Sequence, residues 1–88
     1  PVAEAIADLT YIGRPGPGLG DWGFAFSAMK DWKRKVVKDI EGIAATGRKL
    51  ERIYFVTSQP ARAADRARLE AELEQAHGVP VKILDRAW

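Results

Sequence analysis

The stretch DWGFAFSAMKDWK, residues 21–33, contains the transition that decides the fold. Its apolar run is bounded by glycine and by charge, which predicts a buried strand over residues 22–28. Helical spacing follows, and Asp31 is the predicted N-cap of a helix over residues 33–46. In α/β proteins, ligands bind at the carboxyl ends of strands, so we expect the functional site at this junction.

Two more strands and a second long helix follow in alternation. β-Branched and aromatic residues predict a strand over residues 52–57 that is covered on both faces. An apolar stripe at helical spacing predicts a helix over residues 62–77, which Gly78 ends. The last predicted strand covers residues 81–84. Strands separated by helices of this length indicate parallel pairing.

The N-terminal part differs in composition from the rest of the chain. Apolar residues at helical spacing predict an amphipathic helix over residues 1–11, and a Gly- and Pro-rich loop follows over residues 12–21. The remaining residues, 22–88, form a predicted βαβαβ core. We therefore expect residues 1–88 to be a single small layered α/β domain or fragment, in the order α-β-α-β-α-β with mainly parallel strands.

Composition excludes several classes of protein. The 88 residues contain no cysteine and one histidine, which excludes disulfides and thiolate metal sites and argues against a His-based one. No apolar run approaches the roughly 20 residues that a membrane span needs, and no secretory pattern opens the chain, so we expect a cytoplasmic protein without a membrane partner. Because the chain lacks an initiator Met and ends at Trp88 after a strand pattern, we expect a fragment of a longer polypeptide.

Polar residues follow each predicted strand. Because parallel strands place their carboxyl ends along one edge, we expect these side chains to form a strand-end site. Its candidate residues are Ser27, Lys30, Asp31, Ser58, Gln59, Asp85 and Arg86. The alternative interpretation is that they only cap helices and end strands.

A basic cluster surrounds the start of the first long helix. It consists of Lys30, Lys33, Arg34, Lys35 and Lys38. Exposed cations at a helix amino end cost about 0.3–1 kcal/mol each, so the cluster is either a solvated face or a site for an anion. Exposed helix amides beside Lys and Arg suit the phosphates of nucleic acid. Trp32, next to the cluster, either stacks on a base or packs in a core.

Three segments together resemble a restriction-endonuclease-like domain of the PD-(D/E)xK superfamily, in the versions found at the front of large multidomain bacterial proteins. They are residues 22–33, 53–59 and 81–88. The resemblance implies an upstream hairpin with a metal-binding Asp, then a strand with a Glu or Gln and a Lys two positions on. In such a site two carboxylates would hold Mg²⁺. Residues 22–30 fall on that second strand.

The chain departs from this pattern at the positions that carry catalysis. It reads Ala25-Phe26-Ser27 where the pattern has an acidic or amide residue and a Lys, and Lys30 is the only strand-end lysine. The resemblance places the hairpin with the Asp before Pro1. It therefore implies a degenerate or truncated module that is inactive as this fragment, has no cofactor here, and could bind Mg²⁺ only with the missing upstream segment.

We thus expect a nuclease-fold module that binds nucleic-acid backbone or another phosphate-bearing ligand, beside the remaining domains of a larger protein. A second hypothesis is a non-catalytic protein-interaction module, or a homo-oligomer, in which Trp22, Trp32 and Trp88 are buried by a partner. A third is a Mg²⁺-dependent nuclease whose metal-binding Asp lies upstream.

Overall fold

The computed structural model describes residues 8–14 and 20–85. They form a small mixed α/β domain with a four-stranded sheet and two helices. In chain order these are β1 Asp8–Gly13, β2 Asp21–Ser27, α1 Trp32–Ala44, β3 Leu50–Thr57, α2 Ala63–His77 and β4 Val81–Leu84.

The strands lie in the order β1-β2-β3-β4 across the sheet. β1 is antiparallel to β2, whereas β2, β3 and β4 are parallel to one another. The parallel pairs are joined through α1 and α2, as parallel pairing requires a crossover. The elements predicted from residue 22 onward are confirmed, and each begins and ends within two residues of its predicted bounds. Gly78 ends α2 as predicted, with a left-handed φ of 71°.

The prediction of a helix over residues 1–11 is wrong for residues 8–11, which belong to β1; residues 1–7 lie outside the described residues. β1 pairs along its whole length with β2, from Asp8 opposite Ser27 to Gly13 opposite Trp22. This non-local pairing satisfies the backbone polar groups of β1 that point toward β2, and it outweighs a weak local helical spacing. The predicted loop over residues 12–21 is consequently shorter, because both its ends belong to strands; its residues 15–19 lie outside the described part.

Both helices pack on the same face of the sheet. Alternate strand residues such as Ala25, Phe55 and Ile83 are fully buried there, in one core cluster with Val36 and Ile40 of α1. The remaining members of this cluster come from α1, α2, β3, β4 and the loops before and after α2. They are Trp32, Ile43, Ile53, Ala61, Leu69, Leu73, Val79 and Val81. Trp32 is therefore a core residue, which confirms the alternative that it packs in a core and excludes its stacking on a base.

The opposite face of the sheet, which we call the open face, carries no helix among the described residues. It is formed by Tyr11, Trp22, Phe24, Phe26, Arg52, Tyr54, Val56, Lys82 and Leu84. Along β3, Ile53, Phe55 and Thr57 are buried, whereas Tyr54 and Val56 are only half-buried. The prediction that this strand is covered on both faces is therefore wrong. An apolar run has the same appearance in the sequence whether one or both faces are covered.

Candidate phosphate-binding site

The loops that follow β2 and β3 lie together at the carboxyl edge of the sheet. Ser27 lies opposite Thr57 in the register, and its carbonyl oxygen accepts the N–H of Ser58 at 3.1 Å. The side-chain amide of Gln59 donates to the carbonyl oxygen of Ala28 at 2.9 Å. The edge thus brings together Ser27, Ser58 and Gln59 of the predicted strand-end site.

Several polar groups at this edge hold the backbone. The Ser27 hydroxyl accepts the N–H of Met29 at 3.1 Å, and the Thr57 hydroxyl accepts the N–H of Gln59 at 3.0 Å. Such hydroxyl contacts two residues along the chain stabilise turns. Asp85 is buried, and its Oδ2 accepts the N–H of Ala61 at 2.8 Å, just before α2. Ser27, Thr57 and Asp85 thus each stabilise a loop through a backbone N–H. Arg86, the last residue of the predicted strand-end site, lies outside the described residues.

The basic cluster is divided by ion pairs into two groups. Lys33 contacts Asp65 of α2 at 3.0 Å. Arg34 contacts Asp31 at 3.4 Å, and both side chains are largely exposed. Lys30 and Lys38 are exposed, and within residues 8–14 and 20–85 neither forms an ion pair.

The contact with Lys33 also changes the acidity of its partner. The hydrogen bond from Lys33 is the main cause that holds the pKa of Asp65 below its ordinary value, and the charges of Lys33, Arg62 and Arg68 act in the same direction. Asp65 is therefore a carboxylate at neutral pH, and it offsets much of the charge of Lys33. Among the predicted phosphate-binding residues, Lys33 is the one whose ion pair joins the two helices.

The first turn of α1 has no acidic residue. Asp31 occupies the N-cap position as predicted, but its side chain makes no capping hydrogen bond. Its backbone carbonyl accepts the N–H of Lys35, so the regular hydrogen bonds of the helix begin there. The amides of the first turn are thus left without a side-chain cap, at the positive end of the helix dipole.

A surface depression of about 400 Å³ lies beside this turn, and we call it the entrance site. It is lined by Met29, Asp31, Arg34, Lys35 and Lys38. Three cations thus face one carboxylate, and Lys30 is adjacent in the chain. The arrangement can attract an anion and offer it several charged donors.

Asp39 fixes the position of Lys35, although Asp39 is not among the site residues predicted from the sequence. The Nζ of Lys35 lies 2.8 Å from Oδ1 of Asp39, and the Asp39 side chain is 7% exposed. Oδ2 of Asp39 is buried and has no hydrogen-bond partner among residues 8–14 and 20–85. The spacing of four residues between Lys35 and Asp39 on one helix was the available signal. This pair fixes the ammonium group of one of the residues that line the entrance site.

The described side chains do not form a magnesium ligand set. They contain no group of three or more His, Cys, Asp or Glu side chains that could hold a metal ion. At the edge, Asp31 pairs with Arg34 and Asp85 accepts a backbone N–H. β2 has an antiparallel partner within the chain, β1, and the backbone of Asp8 lies opposite Ser27.

Comparisons with known protein families, curated proteins and solved structures find no match to this chain. Among the residues that the structure describes, neither helix has the length and apolar character needed to cross a membrane. The fold defines a small mixed α/β domain. Its function is therefore argued from the geometry of its surfaces.

Proposed function

We propose that this domain binds the phosphates of a nucleic-acid backbone, or another phosphate-bearing ligand, at the entrance site. One observation carries the proposal: the uncapped first turn of α1 borders a depression lined by Arg34, Lys35 and Lys38. Backbone N–H groups and the helix dipole favour an anion at such a position. Lysine and arginine side chains then add charge-assisted hydrogen bonds to phosphate oxygens.

The cations of the site have different parts in this proposal. Lys35 is held in place by Asp39, which offsets its charge as Asp65 offsets that of Lys33, so it contributes less charge than the exposed lysines. Lys38 and Lys30 are exposed and can turn toward a phosphate. Arg34 is paired with Asp31, but such exposed pairs contribute only about 0–1 kcal/mol, so a phosphate can replace the carboxylate as its partner. The resemblance to nuclease-fold domains supports nucleic acid as the source of the phosphate.

The proposal is tested by charge reversal at the two exposed lysines of the cluster. Lys30→Glu and Lys38→Glu should each weaken binding of a fluorescently labelled DNA duplex, because each removes a cation from the site. Lys49→Glu is the matched control, since Lys49 is an exposed lysine just before β3, near the carboxyl end of α1 rather than its first turn. The measurement is fluorescence anisotropy, with circular dichroism to verify that each variant is folded. Equal affinities for Lys38→Glu and Lys49→Glu would refute the proposal.

A further inference from the structure

The open face of the sheet carries a continuous row of aromatic rings. Tyr11, Phe24 and Tyr54 lie opposite one another on β1, β2 and β3. The ring centroids of Tyr11 and Phe24 are 5.9 Å apart, and those of Phe24 and Tyr54 are 6.0 Å apart with an angle of 14° between the ring planes. The ring of Trp22 lies 5.5 Å from that of Tyr54. Tyr11 is 57% exposed, so the row is open to solvent at one end.

Cations accompany these rings. The guanidinium of Arg52 lies over the ring of Trp22 at 4.9 Å from its centroid and donates a hydrogen bond to the Tyr54 hydroxyl at 3.2 Å. Lys82 is exposed and lies opposite Tyr54 in the register. At the described positions of the open face there is no acidic side chain. The aromatic surface is therefore also an electropositive one.

A shallow depression of about 380 Å³ lies between β3 and β4 on this side of the molecule. Its lining includes Arg52, Tyr54, Pro80, Lys82 and Leu84. The ring of Tyr54 and the cations of Arg52 and Lys82 thus line the same concave surface. A ligand that fills it would meet a π face and two positive charges together.

We infer that the open face binds single-stranded nucleic acid, with bases stacked on its rings and phosphates at Arg52 and Lys82. Bases stack on aromatic side chains largely without regard to sequence, and cations beside them neutralise the backbone. A duplex cannot make this contact, because its bases already stack on each other and present only their edges. Charge complementarity favours this ligand over an uncharged apolar partner, which would leave Arg52 and Lys82 without counter-charges.

This inference rests on the proposed function only in taking nucleic acid as the ligand, since it concerns a different surface. α1 packs on the opposite face of the sheet, and the entrance site lies beside its first turn. Variants of the two surfaces can therefore be examined separately. Duplex binding reports on the entrance site, and the loss of single-strand binding in an open-face variant reports on the open face.

The test uses the chain of residues 1–88 and a fifteen-nucleotide oligothymidylate. Tryptophan fluorescence is followed in Trp88→Phe, where it should decrease on binding. Most of the decrease should disappear when Trp22→Phe is added, because Trp22 lies on the open face whereas Trp32 is buried. Tyr54→Leu keeps an apolar side chain but removes the ring, and it should weaken binding about fivefold or more. Lys82→Glu should reduce the slope of log affinity against log salt by about 1. Lys49→Glu serves again as the charge control.

The outcomes separate the two claims. Duplex binding that is lost in Lys38→Glu, together with single-strand binding lost in Tyr54→Leu, supports both surfaces. Loss of single-strand binding in Tyr54→Leu without any duplex binding supports the open face and refutes duplex binding at the entrance site. Single-strand affinity that is unchanged in Tyr54→Leu and Lys82→Glu overturns the inference. Sedimentation that shows a dimer, dissociated by Tyr54→Leu, also overturns it, because the occupant of the face is then a second copy of the chain.

Discussion

At the scale of single residues, Asp39 and Lys35 show how a charge can be held in place by a partner one turn along the same helix. The Asp39 side chain is 7% exposed, and its Oδ1 lies 2.8 Å from Lys35 Nζ. Removing one member of a buried ion pair leaves the other charge uncompensated, which is strongly destabilising. Replacing either member of the pair should therefore destabilise the fold. Lys38 on the same helix is exposed and can contact a ligand.

Gly23 is the residue that allows α1 to approach the sheet closely. A Cβ at this position would lie 3.1 Å from Ile43 Cγ2 and 3.3 Å from Ile53 Cγ1. Both neighbours are branched side chains of the close-packed core, so Ile43 of α1 and Ile53 of β3 would each have to shift slightly. We expect Gly23→Ala to lower the free energy of unfolding by about 1–3 kcal/mol, measured by urea denaturation.

Gly42 in α1 is the matched control for this change. Beyond the backbone of its own helix, a Cβ at this position would meet no heavy atom of the described residues within 4 Å. Alanine is also a better helix former than glycine. Gly42→Ala should therefore raise the free energy of unfolding by about 0.5–1 kcal/mol. If Gly23→Ala is as stable as Gly42→Ala, the close packing of α1 on β2 does not depend on a glycine at position 23.

At the scale of elements, the contact between Lys33 and Asp65 joins α1 to α2. The hydrogen bond from Lys33 lowers the pKa of Asp65 in the folded state. A carboxyl group with a lowered folded pKa contributes stability above its unfolded pKa of about 3.9. That contribution is lost as the pH falls through the folded pKa.

Asp65→Asn should therefore lower the melting temperature at pH 7. The difference from the wild type should shrink as the pH falls below about 4 and should disappear below the folded pKa. Thermal unfolding followed by circular dichroism across this range measures it. Glu74→Gln, an exposed carboxylate on the same helix, is the control. A difference that stays constant down to the lowest pH would contradict the assigned role of Asp65.

Periodicity alone was sufficient to predict the elements from β2 to β4, because their patterns are long and their ends are marked by Gly, Pro or charge. β1 could not be predicted in this way. It has six residues, and it is a strand because it pairs with β2, which is a non-local cause. The sequence also could not predict that, within the described part of the chain, no helix covers Tyr54 and Val56. The path of the chain decides on which face of the sheet a helix packs.

The cations of the candidate site were visible in the sequence, but their partners were only partly so. Asp39 lies four residues from Lys35 on one helix and could have been recognised by that spacing. Asp65 lies on a different helix from Lys33, so only the packing of α1 against α2 brings them together. The sequence thus predicts which residues are basic, and the fold decides which of them remain available for a ligand.

At the scale of the whole molecule, the sheet separates two surfaces of different chemistry. The side that carries the helices has the uncapped start of α1 with its lysines, and the other side has aromatic rings with Arg52 and Lys82. The net charge is only +2, so long-range attraction by the whole molecule is weak. Any affinity for nucleic acid must therefore come from these local groups.

The salt dependence of duplex binding tests the central claim most directly, because it counts the phosphates that the entrance site contacts. Affinity of the wild-type chain is measured by anisotropy over a series of salt concentrations, and the same series is repeated for Lys38→Glu and Lys49→Glu. We predict that affinity falls with salt and that Lys38→Glu reduces the slope by about 1, whereas Lys49→Glu leaves it unchanged. Affinity that is independent of salt, or equal slopes in all three proteins, would contradict phosphate binding at the start of α1.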